Sequence, residues 1–159
     1  MPGKNHQTIV NETILQFLRK QTCAGICCVD EQNKPYCFSC FYAFDPASVM
    51  LYFKSSDESH HVRLIKKNPV IAGTILQDKL NRLVVAGVQF GGRIVNEQHP
   101  LSEEASGLYL AKYPISLAIP GNVWAVRIDF IKMTDSSKLF GKKLLWSREK
   151  DAGSQVNSQ

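Results

Sequence analysis

Leu51-Tyr-Phe-Lys-Ser-Ser-Asp-Glu-Ser-His-His-Val-Arg63 is a run in which an apolar strand gives way, within a few residues, to a helix start rich in hydroxyls and potential cations. Ser55 and Glu58 match the S-x-x-E capping box, in which two side chains satisfy backbone N–H groups of the first turn. The spacing therefore predicts a helix entered at Ser55 and running over about 57–67. A helix N-terminus presents free N–H groups and the positive end of a dipole, which suits an anion such as a phosphate. Lys54, Ser59, His60 and His61 would add donors around it. Two features oppose that reading: a capping box consumes its own N–H groups, and Asp57 and Glu58 repel an anion. From these residues alone, a phosphate site and a self-satisfied cap with solvated histidines both stay open.

On the N-terminal side, Ile14, Phe17, Leu18 and Gln21 fall at helical spacing behind Asn11, a suitable cap, so 11–21 reads as an amphipathic helix. Runs rich in β-branched, aromatic and Cys residues follow at 22–29, 36–43 and 48–54, divided by turn chemistry at 30–35 and at Asp45-Pro46. On the C-terminal side, Asn68-Pro69 stops the helix, Val70 to Leu76 forms a strand, and Leu83 to Val95 forms a long strand whose Gly87, Gly91 and Gly92 signal bends or bulges. Ser102, as cap, opens a third helix that Pro114 ends. Val123 to Met133 alternates Trp124, Val126, Ile128 and Phe130 against Ala125, Arg127, Asp129 and Ile131, and Leu139 to Trp146 makes the last strand. The expected fold class is mainly β: a six- to seven-stranded antiparallel barrel, closed or nearly so, with short helices at its ends. One domain over 11–148 carries it, with 1–10 and 149–159 as flexible tails.

Composition bounds the function. Of 159 residues, 44% are hydrophobic and 21% charged, with 19 Lys plus Arg against 14 Asp plus Glu, which argues against a disordered or fibrous chain. No apolar run approaches the roughly 18 residues a spanning helix needs, so the sequence reads as a cytoplasmic protein without a membrane role. The excess of five positive charges is consistent with nucleic acid, but Lys66-Lys67 and Lys142-Lys143 are the only paired lysines and the latter two face opposite ways in a strand. Five cysteines, Cys23, Cys27, Cys28, Cys37 and Cys40, lie within 18 positions; the odd count without a leader favours reduced thiols packed as small hydrophobes. Cys37 and Cys40 have a zinc-like gap, yet three positions apart in a strand they face opposite sides, so no metal site is expected. A turn centred on Gln32 and Asn33 would instead bring Cys28 across from Cys37. Gly87 to Gly92 lacks the G-x-G-x-x-G spacing, and phosphate-loop, H-E-x-x-H and nucleophile-elbow patterns are absent. No side chain stands out as a catalytic acid or base.

The order helix, hairpin, strand, then Ser59-x-His61 ahead of Asn68-Pro69 resembles the pyridoxamine 5'-phosphate oxidase-like split barrels. Phe41-Tyr42-Ala43-Phe44-Asp45, Ala72-Gly73-Thr74, Gly87-Val88-Gln89-Phe90-x-Gly92, Lys132-Met133-Thr134-Asp135 and Phe140-Gly141-Lys142-Lys143-x-x-Trp146-x-Arg148 are similar to its YhbP-like bacterial branch. The resemblance implies an FMN-binding split barrel, a homodimer with the cofactor between subunits, and flavin-dependent oxidoreductase activity on an unknown substrate. A flavin- or haem-binding module without turnover is the alternative within the same fold, and a nucleic-acid-binding barrel a more remote one. It further implies that Ser59 and His61 meet the FMN phosphate with Lys54, Ser55 and His60 close by, and that Ser39, Phe41 and Tyr42 run along the flavin edge, largely through backbone groups. Gln89, Trp146 and Arg148 would line the pocket, some of them from the partner chain. His60 and His61 stand where the oxidase has Arg and Lys, and neither its strand Arg nor its Arg-x-His motif is present, so oxidation of a vitamin B6 phosphate is not implied.

Overall fold

The computed structural model describes residues 9–95, 102–137 and 141–148. Seven antiparallel strands are joined by three α-helices and a 3-10 turn: α1 (Glu12–Lys20), β1 (Cys23–Val29), β2 (Pro35–Asp45), β3 (Met50–Ser55), α2 (His60–Lys67), β4 (Val70–Leu76), β5 (Ala86–Val95), α3 (Ser102–Lys112), the 3-10 turn Pro114–Ala118, β6 (Asn122–Asp135) and β7 (Lys142–Ser147). The sheet order is β3-β2-β1-β4-β5-β6-β7, and a further β3–β6 pairing closes the first six strands into a barrel with β7 added outside. β6 closes it because it is long: its first residues pair with β3 from Met50↔Arg127 to Ser55↔Asn122, and its later ones with β5 and β7. Closure removes the exposed edges that an open six-stranded sheet would present.

The barrel is filled by inward residues of every strand, among them Ile26, Phe53, Ile75, Phe90, Val126 and Ile128, each essentially inaccessible to solvent. α1 plugs one region with Ile14, Phe17 and Leu18, and α2 packs Val62 and Ile65 into the same core. Asn11 caps α1 as its residue type predicts, its side chain accepting from the Thr13 N–H at 2.9 Å. Val10, outside the expected domain boundary, is buried in this core. A second, smaller cluster lies under α3, where Ala43, Met50, Tyr52 and Ala125 meet Ala105 and Tyr109.

The structure corrects several expectations. The alternation along β6 does not run through: Trp124, Val126 and Ile128 are buried, but Phe130 is 49% exposed, and Ile131 and Met133 point inward. The cause is a bulge, since Gly91 pairs with Phe130 and Gly92 with Ile128, leaving Asp129 as the extra residue that reverses the phase. The hairpin between β1 and β2 turns on Asp30, whose carboxylate accepts from the Gln32 and Lys34 N–H groups at 2.8 Å. The resulting register pairs Cys27 with Cys37 and Cys28 with Tyr36, and Cys27 and Cys37 form a disulfide. Cys28 is instead a buried thiol in the core, so both the expected Cys28–Cys37 proximity and the fully reduced set give way. β5 starts at Ala86 rather than Leu83, and β7 at Lys142 rather than Leu139, with 138–140 outside the described residues. α3 begins at Ser102 itself. Of the expected tails 1–10 and 149–159, residues 1–8 and 149–159 lie outside the described residues.

Candidate functional site

The capping box is not formed. Ser55 is the last residue of β3, and α2 starts at His60 with Ser59 as its N-cap residue. Ser59 makes no capping bond; its hydroxyl donates to the Ser56 carbonyl at 2.8 Å. This leaves the N-terminus of α2 without a side-chain cap, the condition under which its N–H groups are available to an outside acceptor. The hydroxyls instead gather on an imidazole: Ser55 Oγ lies 2.7 Å and Ser59 Oγ 3.2 Å from His61 Nε2, and the two hydroxyls are 3.2 Å apart. Three side chains with hydrogen-bonding capacity thus converge where a strand end meets a helix start.

These residues open onto a cleft of about 330 Å³ walled by β2, the β3 end and the 3-10 turn, with Ser39, Phe41, Lys54, Tyr109 and Ser116 among its lining residues. Lys54 extends across it to donate to the Ser116 carbonyl at 2.5 Å, and among the described residues no carboxylate lies within ion-pair distance of it. Burial lowers the basicity of His61, with the neighbouring His60 adding to the effect. Burial also pushes the Cys40 thiol in the cleft up to about 12, with Cys23 adding to the effect, which makes it inert as a nucleophile near neutrality. Among the described residues no group of three His, Cys, Asp or Glu side chains could hold a metal ion.

Of the residues singled out from the sequence, Lys54, Ser55, Ser59 and His61 come together at this corner, and Ser39 and Phe41 line the same cleft. His60 is turned away from the trio, edge-on to Tyr36 at 4.8 Å. Four others lie elsewhere. Tyr42 is fully buried, its hydroxyl donating to the Leu18 carbonyl at 2.6 Å. Gln89 is exposed on the outside of β5, opposite Thr74 and Lys132. Trp146 is 5% exposed and belongs to the core. Arg148 ties the chain end to the barrel, donating to the carbonyls of Ile128, Ser48 and Val49 at 3.0, 2.9 and 3.2 Å. Sequence reasoning missed Phe38, Tyr109 and Ser116. The period-two pattern of β2 could have found Phe38, which shares a face with Cys40 and Tyr42; the other two reach the cleft only through tertiary packing.

A second depression of about 530 Å³ on the outer sheet shares Ser39 with the first and is lined by Gly25, Thr74 and Asp78 among others. Strand register sets small side chains side by side on the β2, β1 and β4 part of this surface. One row across the sheet reads Ser39, Gly25, Thr74, Gln89, Lys132, Leu145, and the next Cys37, Cys27, Ala72, Gly91, Phe130, Ser147.

No protein-family model matches the chain. Over 125 residues it is 34% identical to the UPF0306 protein YhbP of Salmonella paratyphi B, spanning 79% of this chain and 85% of the relative. Among solved structures, the barrel is similar to a haem-binding protein from Mycobacterium smegmatis, with a TM-score of 0.71, 13% identity and coverage of 87% of this chain and 60% of that one. An FAD-binding protein from Mesorhizobium loti follows with a TM-score of 0.64 and 13% identity over 79% and 95% of the two chains. A putative pyridoxamine 5'-phosphate oxidase from Listeria innocua has a TM-score of 0.58 and 16% identity over 77% and 95%. Barrel closure and these likenesses define the class by its fold, a closed antiparallel barrel similar to that of the putative pyridoxamine 5'-phosphate oxidase. The extent of the YhbP match settles the group within it, and the chain belongs to the UPF0306 family.

Proposed function

We propose that the chain binds FMN and works as a flavin-dependent oxidoreductase. The observation that carries this reading is the uncapped β3–α2 corner, where Ser55, Ser59 and His61 converge at the mouth of a cleft that the Lys54 ammonium also lines, with no carboxylate partner among the described residues. Hydroxyl donors, an imidazole that can accept a proton, and a helix start are the chemistry a phosphate monoester needs. Ser59, His61 and Ser55 would hold the phosphate, with Lys54 released from the Ser116 carbonyl to join them. The outer face near Ser39 and Gly25 carries small side chains that allow a planar ring to approach the backbone. When bound, the flavin supplies two-electron chemistry; this chain's residues bind, orient and exclude water, and none is required as a nucleophile. The same face, bordered by exposed Phe41, Leu76, Phe130 and Leu145, suits a second copy of the chain, which makes a homodimer the expected assembly.

Titration of the purified protein with FMN, followed by the flavin's visible absorbance and fluorescence, tests the reading. We expect saturable binding that drops roughly tenfold or more in the Ser59→Ala/His61→Ala double variant while its thermal unfolding stays cooperative. Equal FMN affinity in the two proteins would refute the site. Bleaching of the bound flavin by NADH or NADPH would support turnover. The likeness to a haem-binding barrel favours a second reading, a module that stores or carries a planar cofactor without turnover; a haem Soret band formed in competition with FMN would support it.

A further inference from the structure

Tyr36 and Phe38 extend from one face of β2 to consecutive histidines of α2. Phe38 lies flat on His61, with ring centroids 3.8 Å apart and planes inclined by 12°. Tyr36 meets His60 edge-on, and Phe38 also packs against Phe53 of β3 at 5.6 Å. Cys37, between the two aromatics, points to the opposite face of the strand and is bonded there to Cys27, its direct partner on β1. The His61 ring is therefore held twice, by a covered face and by hydrogen bonds at Nε2, while the strand that covers it is pinned from behind.

We propose that Phe38 is the positioning residue for His61, and that the Cys27–Cys37 bridge keeps Phe38 in place, so that this pair of contacts decides how His61 answers an anion in the cleft. The inference rests on the FMN reading and deepens it by naming what governs the pH response of the phosphate site. Two held points leave an imidazole a single orientation, which is what a binding group needs if it is not to lose affinity in ordering itself. The covering ring also displaces water from the imidazole and so disfavours its charged form, in line with the lowered basicity of His61. The titratable and charged groups around it are His60 on the same helix, Lys54 on β3, Cys40 on β2 and Tyr109 on α3, and none is a carboxylate that would counter the effect.

The test is a pH titration of the histidine ring resonances of the full chain by two-dimensional NMR without ligand, with His61→Gln identifying the signal. Phe38→Leu should raise the His61 midpoint toward the ordinary histidine value, by roughly half a unit or more, and Phe38→Tyr should leave it in place. Cys27→Ser, which alters only the outer face, should move it in the same direction as Phe38→Leu. The pH profile of FMN affinity should shift upward with the midpoint in each variant. An unmoved midpoint in Phe38→Leu overturns the positioning role, and an unmoved midpoint in Cys27→Ser overturns the part given to the bridge. If FMN binds none of these proteins the functional reading fails, while the ring titration still decides the role of Phe38.

Discussion

In the proposed site, His61 is the residue on which the pH response turns. Its folded-state basicity is depressed, so in the ligand-free protein it contributes stability that is present above the ordinary histidine pKa and lost as pH falls through the lower folded value. A bound phosphate dianion works in the opposite sense by favouring the imidazolium, so binding takes up a proton. FMN affinity should therefore decline as pH rises from about 6 to about 8, by at most roughly tenfold per unit, and His61→Gln should flatten that slope. Fluorescence titrations at a series of pH values measure it; a slope unchanged in His61→Gln would remove His61 from the site. Arg148, a cation expected in the pocket, is bonded to the scaffold. Its guanidinium satisfies three backbone carbonyls around the Ser48–Val49 turn and the β6 bulge region. Arg148→Ala should cost about 1–3 kcal/mol in urea unfolding, and Arg148→Lys should restore little of it because an ammonium lacks the planar fork.

At the level of elements, the bulge between β5 and β6 determines which side chains the barrel keeps. A Cβ at Gly92 would lie 2.1 Å from the Arg127 carbonyl oxygen, a backbone atom that cannot step aside without opening the ladder. Gly92→Ala should destabilise the fold by roughly 2 kcal/mol or more, whereas Gly107→Ala, in α3 with nothing within 4 Å, should stabilise it by about 0.5–1 kcal/mol. Paired chemical denaturation curves would check both, and a neutral Gly92→Ala would mean the bulge is not needed. The elements themselves were largely legible, because β2 to β4 are rich in β-branched and aromatic residues between turn signals and α1 has a clear apolar stripe. The entry to α2 was not. S-x-x-E is a local pattern, and β3 continues through Ser55 because its ladder with β6 extends to Ser55↔Asn122, a partner 67 positions away in the chain.

For the whole molecule, the proposed homodimer rests on a face that a single barrel leaves uncovered, with Phe41 58% and Leu145 75% exposed on it. Sedimentation equilibrium should give twice the chain mass, and Phe130→Asp should shift the population toward monomer and lower FMN affinity with it. A monomeric wild-type protein that still binds FMN tightly would separate the cofactor from the assembly. Among the described residues no helix is long and apolar enough to cross a membrane.

Period-two and period-3.6 patterning, with the turn residues between them, was enough to establish from sequence a mainly β chain with helices at the strand joins, because those signals depend only on neighbours a few positions apart. The residues Ser55, Ser59 and His61 could be nominated the same way. Three matters were left to the tertiary structure: that these side chains bond to one another rather than cap a helix, that Cys27 and not Cys28 faces Cys37, and that Trp146 packs in the core while Arg148 bonds to barrel carbonyls. Each depends on register, and register is set by contacts between strands far apart in the chain, where a shift of one residue exchanges the inside of the barrel for its outside.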